Sequence, residues 1–294
     1  MGTTRAFAAA TVAACCLAAC SGGSATTTSS SSAAATTTTS AAAAPPLALR
    51  PGSQDVTFRV DGVDRTAAVV VPADTAKPAP IVVVFHGHGG AGHNIQRKLR
   101  VEDAWPDAVV VYPDGLVGHK GITDPDGTAP GWQTTPGEAG DRDLHLFDEM
   151  LTEIRATVPI DPDRIYVMGH SNGSQMASLV LNQRPSEIAA VANLSSTPNA
   201  LLPTDPVRSM FFAMGTGDPI VPIAHQQAAI PRAEQLLGVD PATATTSGDL
   251  TTVKAAPPSG IELEYKVYDG GHEPPDGITA VVVSFFQRHT LSTG

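Results

Sequence analysis

Several residue types are scarce in this chain, and each scarcity excludes a class of protein. Cysteine occurs three times in 294 residues, at Cys15, Cys16 and Cys20. No residue after position 20 can therefore be a cysteine nucleophile, a thiolate metal ligand or half of a disulfide. Aromatic residues make up only 5 % of the chain, so a core must rest on alanine, valine, isoleucine and leucine.

Positive charge is scarce as well. Lysine and arginine number 18 against 29 acidic residues, which gives a formal charge of −11. A nucleic-acid partner is not expected, because such proteins usually present a basic surface. No apolar run reaches the roughly 18 residues of an ordinary membrane-spanning helix. Hydrophobic residues still make up 42 % of the chain, which is more than a wholly disordered protein would carry.

The first residues have the pattern of a bacterial lipoprotein signal peptide, predicted at residues 1–19. A positive charge at Arg5 precedes a short apolar stretch, Ala6–Ala19. The sequence Leu17-Ala18-Ala19-Cys20 resembles a lipobox, in which cleavage leaves Cys20 as the lipidated N-terminus. This predicts an extracytoplasmic protein anchored to the cell membrane through Cys20. The alternative is a secreted protein cut at an Ala-x-Ala site.

Residues 20–50 are predicted to be a flexible tether. Serine, threonine and alanine dominate this stretch, and no hydrophobic period is visible before Pro45-Pro46. Residues 51–294 remain for one folded domain.

That domain alternates between strand and helix patterns. Strands are predicted at Asp55–Val60, Arg65–Val71, Ile81–Phe85, Ala108–Tyr112, Arg164–Met168, Ala189–Leu194, Met210–Met214 and Glu262–Tyr268. Helices are predicted at Asp143–Thr157, Ser174–Asn182 and Ile278–His289. The alternation favours an α/β fold with a mostly parallel central sheet and helices on both faces. The long stretch Gly115–Gly140 is predicted to form a cleft wall, and the sequence leaves open whether its Trp132 touches a substrate.

The motif Gly169-His170-Ser171-Asn172-Gly173 is the strongest indication of chemistry. It follows a predicted strand directly and opens a predicted helix, which is the context of a nucleophile elbow. The turn is so tight that side chains in place of the two glycines would collide with the strand and the helix. This predicts that Ser171 is a nucleophile.

A serine needs a base and an orienting acid, and in this architecture both follow it in the chain. His272 follows the strand Glu262–Tyr268 and is the predicted base. His225 is the alternative base, and His289 is interpreted as a surface residue of the closing helix. Asp218 follows the strand Met210–Met214 and is the predicted acid.

An oxyanion hole should supply two backbone amides. The residue after the nucleophile, Asn172, is one predicted donor. The loop Phe85–Gly90 should supply the other, with His88 preferred and Gly89 as the alternative.

No cofactor and no metal ion are expected. His86, His88 and His93 are spaced for a metal cluster, but no carboxylate or cysteine accompanies them in this segment. Asp124-Pro125-Asp126-Gly127 begins like a calcium loop, yet Thr135 stands where the final glutamate belongs. Both alternatives are therefore set aside.

Residues 55 to about 290 resemble secreted α/β-hydrolase esterases that include poly(3-hydroxybutyrate) depolymerases, feruloyl esterases and acetylxylan esterases, among them bacterial lipoproteins. The segments that carry the resemblance are, in order, Arg65–Pro72, His86–Gly90, Tyr112–Gly115, Asp143, Asp161–Val167, Gly169–Gly173, Gly215–Pro222 and Gly270–His272. The resemblance implies an α/β-hydrolase fold and a triad of Ser171, Asp218 and His272.

Two departures bear on specificity. Family members often have tryptophan two residues after the catalytic histidine, then Pro-Gly, whereas this chain has Glu273-Pro274-Pro275. The disulfide of the polysaccharide-acting members is impossible here. The expected function is hydrolysis of an extracellular ester through an acyl-enzyme. The alternatives are a peptidase or acyltransferase on the same fold, or an inactive surface-anchored binding module.

Overall fold

The computed structural model describes residues 47–197 and 203–293, which fall within one unit, Pro45–Gly294. The predicted signal peptide at residues 1–19 and the lipidation site Cys20 lie outside the described residues. Within the described ranges, no helix combines the length and the apolar character needed to cross a membrane.

The described residues form ten strands and seven α-helices. The strands are β1 (Gly52–Val60), β2 (Val63–Val71), β3 (Ala79–Phe85), β4 (Val109–Pro113), β5 (Ile160–His170), β6 (Ala190–Leu194), β7 (Ser209–Gly215), β8 (Thr245–Ser247), β9 (Leu250–Lys254) and β10 (Glu262–Tyr268). The helices are α1 (Gly92–Leu99), α2 (Val101–Ala104), α3 (Arg142–Thr157), α4 (Asn172–Gln183), α5 (Ile223–Gln227), α6 (Ala229–Leu237) and α7 (Ile278–Gln287).

All ten described strands form one sheet in the order β1-β2-β4-β3-β5-β6-β7-β10-β9-β8. The six central strands from β4 to β10 pair in parallel. Antiparallel strands flank them at both edges. The carboxyl ends of the parallel strands meet at one edge of the sheet, where loops from several strands can combine into a site.

Both faces of the sheet are covered by helices. Along β3, Val83 and Phe85 belong to one buried cluster, while Val82 and Val84 belong to the other. Helices α3, α4 and α6 pack on the first face, and α1, α2 and α7 pack on the second. A strand buried on both faces is continuously apolar, which explains the unbroken hydrophobic run in this part of the sequence.

Most predicted elements occur, with ends displaced by a few residues. The predicted strand Arg164–Met168 begins at Ile160, and the predicted helix Ser174–Asn182 begins at Asn172. Leu47 and Leu49, within the predicted tether, pack against the core, and the Leu47 carbonyl accepts a hydrogen bond from Thr157.

Candidate active site

Ser171 lies at the sharp turn between β5 and α4. Its dihedral angles, φ 54° and ψ −121°, lie in a region that residues other than glycine seldom adopt. A Cβ atom at Gly169 would lie 2.1 Å from the Gly173 carbonyl oxygen, and one at Gly173 would lie 2.2 Å from that of Phe85. The geometry agrees with the expectation that side chains at either glycine would collide with their surroundings.

Asp218 and His272 meet beyond the carboxyl ends of β7 and β10. His272 Nδ1 donates a hydrogen bond to Asp218 Oδ2 over 2.8 Å. The Asp218 side chain is fully buried, and that of His272 is 13 % exposed. Because Nδ1 is bound to the carboxylate, Nε2 is left to exchange a proton in the cleft that His272 and Ser171 both line. This is the relation of acid to base in a catalytic triad.

Three further donors hold the Asp218 carboxylate. The amides of Ile220 and Val221 donate to Oδ1, each over 2.8 Å, and Gln226 Nε2 donates to Oδ2 over 2.9 Å. Burial raises the pKa of Asp218, but the hydrogen bonds from His272, Val221 and Ile220 outweigh it and hold that pKa below its ordinary value. Asp218 is therefore ionised at neutral pH and can stabilise a positive charge on His272.

Two aromatic side chains fix the backbone around His272. His170 Nε2 donates to the His272 carbonyl oxygen over 2.8 Å. The Tyr268 hydroxyl lies 3.3 Å from the Gly271 carbonyl oxygen and 3.2 Å from that of Glu273. Burial lowers the pKa of His170, which keeps its ring neutral. His272, the predicted base, is thus held through its main chain as well as through its ring.

The amide of His88, the preferred donor in the Phe85–Gly90 loop, is available for an oxyanion. The amide of Gly89, the alternative donor, is already bonded to the Pro130 carbonyl oxygen over 2.7 Å. The amides of His88 and Asn172 have no hydrogen-bond acceptor within the part of the chain that the structure describes. Asn172 follows Ser171 in the chain, and His88 lines the same clefts as Ser171, as an oxyanion hole requires.

Two clefts meet at Ser171. The first has a volume of about 330 Å³ and extends past His272, and the second has a volume of about 430 Å³ and extends past His225. Thr123 and Ile220 border both clefts. An ester carries one group on each side of its carbonyl, so two clefts at one nucleophile suit its acyl and alcohol parts.

The other two histidines that follow Ser171 in the sequence have separate environments. His225 lines the second cleft, whereas the Asp218 carboxylate contacts His272. The interpretation of His289 as a surface residue is wrong, because it is only 4 % exposed. His289 lies beyond the end of α7, where its ring packs at a tilt against Phe285 and its carbonyl accepts a hydrogen bond from the buried Tyr166 hydroxyl.

The three histidines of the metal alternative bind different partners. His86 contacts the Gly87 carbonyl and the Gly115 amide, His88 contacts Asp124, and His93 contacts Asp55 and Gln96. Among the described residues, no group of three or more histidine, cysteine or acidic side chains is arranged to hold a metal ion.

The long loop Gly115–Gly140 packs inward. Trp132 is fully buried, and its Nε1 donates to the His86 carbonyl oxygen over 2.8 Å. It lies outside the linings of the two clefts, which instead include Thr123 of the same loop. The buried Asp143 of α3 accepts a hydrogen bond from the Gln133 amide over 2.9 Å, which anchors the loop to this helix.

Sequence reasoning missed three side chains that support these residues. Gln226 and Tyr268 gave no local pattern, because their roles depend on which loops meet at the sheet edge. Asp124 stands in a recognisable Asp-Pro-Asp-Gly turn, whose sequence resembles an incomplete calcium loop and gives no sign of its contact with His88.

Known proteins similar to the chain are named as esterases. No protein-family profile matches the chain. NocK from Nocardia uniformis subsp. tsuyamanensis, which carries the name of an esterase, is 28 % identical over 218 residues. The match covers 69 % of this chain and 60 % of NocK. Feruloyl esterase D from Neurospora crassa is 26 % identical over 237 residues, which cover 77 % of this chain and 79 % of that protein.

The fold is that of a solved acetyl xylan esterase from Aspergillus awamori. The TM-score is 0.60 at 14 % sequence identity, and the match covers 81 % of this chain and 99 % of that one. Such a likeness at low identity concerns the fold alone. The predicted α/β-hydrolase fold, with its mostly parallel sheet and helices on both faces, is confirmed.

Proposed function

We propose that this chain is a serine carboxylic-ester hydrolase. Ser171 is the nucleophile, His272 the base and Asp218 the orienting acid. The hydrogen bond between His272 and Asp218, in the cleft that the strained Ser171 lines, is the observation that carries the proposal. The esterase names of the similar proteins support it.

The reaction passes through an acyl-enzyme. The Ser171 hydroxyl oxygen attacks the carbonyl carbon while His272 Nε2 takes its proton. The amides of His88 and Asn172 stabilise the charge on the former carbonyl oxygen. The proton passes from His272 to the departing alcohol, and a water molecule then repeats the sequence and releases the acid.

The proposed substrate is an extracellular ester of the feruloyl, acetyl or polyester class. The names of the feruloyl esterase and of the acetyl xylan esterase support this class. The proposed location is outside the cytoplasm, with lipid on Cys20 holding the protein at the membrane, and the lipobox-like sequence supports this part.

The test of activity is a substrate panel. It contains p-nitrophenyl esters of rising chain length, methyl ferulate, acetylated xylan and a hydroxybutyrate oligomer. The wild-type protein should hydrolyse at least one, and a serine-directed phosphonate should label Ser171 alone. Ser171→Ala should abolish both. Wild-type turnover in Ser171→Ala would overturn the proposal and favour a binding module.

Anchoring has a separate test. The diacylglycerol expected on Cys20 carries two acyl chains, which suffice for stable anchoring, so the protein should be found in the membrane fraction. Cys20→Ala should lose lipid labelling, with Cys16→Ala as the control that keeps it. A lipid-labelled Cys20→Ala protein would contradict the lipobox assignment.

A further inference from the structure

The loop Gly115–Gly140 contacts the side chains of both proposed oxyanion donors, His88 and Asn172. The His88 side chain is 10 % exposed, and its Nε2 donates to Asp124 Oδ2 over 3.0 Å. The Asn172 side chain accepts a hydrogen bond from the Trp132 amide over 2.8 Å and donates one to the Trp132 carbonyl oxygen over 3.1 Å. The side chains of both proposed oxyanion donors are therefore held by hydrogen bonds to this one loop.

The loop also encloses the His88 ring. A Cβ atom at Gly131 would lie 2.6 Å from His88 Nδ1 and 3.2 Å from Asn172 Oδ1, so this glycine is in close contact with both side chains. A Cβ atom at Gly121 would lie 3.4 Å from the same ring. His88 Nδ1 is buried and has no hydrogen-bond partner among the described residues. The ring is thus oriented by one hydrogen bond, to Asp124.

Asp124 is itself fixed within its turn. Its carboxylate accepts hydrogen bonds from the Ala129 amide over 2.8 Å and from the Thr128 hydroxyl over 3.1 Å. The bonds from Ala129, His88 and Thr128 hold the pKa of Asp124 well below its ordinary value, so it is ionised and accepts only. Its main chain pairs with Gly121 in both directions.

We propose that Asp124 is a positioning residue of the oxyanion hole. By fixing the His88 ring between the glycines, it sets the position and direction of the His88 amide relative to Ser171. Catalytic geometry is sensitive to such support, because a displacement of about 1 Å can cost 10²-fold in rate. The inference rests on the proposed esterase function.

Asp124→Ala should lower kcat about 10-fold and change KM less than twofold. Complete removal of an oxyanion donor costs about 10²–10³-fold, and a misplaced donor should cost less. Binding of a trifluoromethyl ketone should weaken by the same factor as kcat/KM, since its hemiketal oxygen occupies the oxyanion hole. Asp124→Asn should recover part of the rate, because its amide oxygen still accepts from His88.

Asp126→Ala is the matched control. Asp126 lies in the same turn, carries the same charge and is exposed, and its side chain forms no hydrogen bond or ion pair with the described residues above. The control should retain wild-type kcat. If the full-length wild-type protein is active and Asp124→Ala and Asp126→Ala behave alike, the inference is overturned while the esterase function stands. An inactive wild-type protein would instead contradict the proposed function.

A double-variant cycle shows whether Asp124 acts through His88. His88→Phe keeps a ring but cannot donate to Asp124. If the inference is correct, the pair Asp124→Asn and His88→Phe should be no slower than His88→Phe alone. Losses that multiply would overturn it. Melting temperatures of all variants identify any loss caused by unfolding, and Asp124→Asn serves in place of Asp124→Ala should the latter not fold.

Discussion

The two sides of Ser171 are built in different ways. On one side, Asp218 and His272 follow the adjacent parallel strands β7 and β10, whose pairing places Gly215 opposite Tyr268. Sheet register therefore brings the starts of their loops together, and the hydrogen bond from the Gly217 amide to the Gly270 carbonyl oxygen joins the loops themselves. On the other side, the loop Gly115–Gly140 is held in place by buried hydrogen bonds. The comparison shows that strand order can bring two loop residues, here Asp218 and His272, close together, whereas a long loop needs its own polar anchors.

The largest predicted effect is a loss of kcat, and it concerns the side of Ser171 on which Asp218 and His272 lie. His272→Ala should lower kcat by about 10³–10⁶-fold, because nucleophile and base act as a unit. Asp218→Asn should cost less, since it spoils the tautomer and leaves the base in place. His225→Ala tests the alternative base and should keep most of the wild-type kcat, because the Asp218 carboxylate contacts His272. Steady-state kinetics on an ester that the wild-type protein hydrolyses measures these losses. A larger loss of kcat in His225→Ala than in His272→Ala would reject His272 as the base.

The next effect concerns the anchors of the long loop and should appear in stability. Asp143 is fully buried, pairs with the buried Arg65 over 2.8 Å and accepts the Gln133 amide. Asp143→Ala should lower the free energy of unfolding by about 3–5 kcal/mol, because it leaves the buried Arg65 charge without its carboxylate partner. Urea unfolding monitored by circular dichroism measures this loss.

Asp148→Ala on the same helix is the control. Asp148 pairs with Arg184 at a half-exposed position, and such a pair contributes about 0–1 kcal/mol. Equal losses in the two variants would mean that the buried pair is not a special anchor of the loop.

The same comparison explains what sequence could predict. The buried strand β3 is an unbroken apolar run, the helix α3 carries a helical hydrophobic period, and the glycines beside Ser171 mark its turn. The apolar run before Asp218 and the strand pattern before His272 also locate the carboxyl ends of β7 and β10. These features depend on short stretches of chain.

Contacts between distant segments were not visible. Trp132 lies in a polar, glycine-rich stretch but is fully buried against Phe85 and His86. The strand β8 is entirely exposed and its neighbour β9 mostly half-buried, so neither shows a strong apolar pattern. The positions of Trp132, β8 and β9 depend on contacts with distant segments of the chain. Composition and hydrophobic periodicity do not reveal such contacts.

A third, smaller effect should appear on acidification. Burial lowers the pKa of His86 on the long-loop side and of His170 on the other side below the ordinary value of 6.5. Below about pH 6.5 the unfolded chain therefore binds protons that the folded chain does not. Stability should then fall with decreasing pH, by up to about 1.4 kcal/mol per pH unit for each ring. The loss levels off once the pH passes below the folded-state pKa.

Urea midpoints between pH 7.5 and 5 measure this slope. His86→Gln and His170→Gln should each flatten it, and the exposed His93→Gln should leave it unchanged. Unchanged slopes in both buried-site variants would mean that these rings take up protons without unfolding the protein.

The smallest effect tests whether the side set by register also needs a polar anchor. The Tyr268 hydroxyl contacts the Ser195 hydroxyl at 3.0 Å and the carbonyl oxygens on both sides of His272. Tyr268→Phe removes these contacts and should lower kcat about 3–10-fold with KM unchanged, since one hydrogen bond contributes about 1 kcal/mol. Tyr265→Phe on the same strand is the control, because its hydroxyl has no hydrogen-bond partner among the described residues. Equal kcat in both variants would show that sheet register and the Asp218 contact suffice to hold the base. A loss in Tyr268→Phe alone would show that both sides of Ser171 depend on buried polar support, and that they differ only in how much.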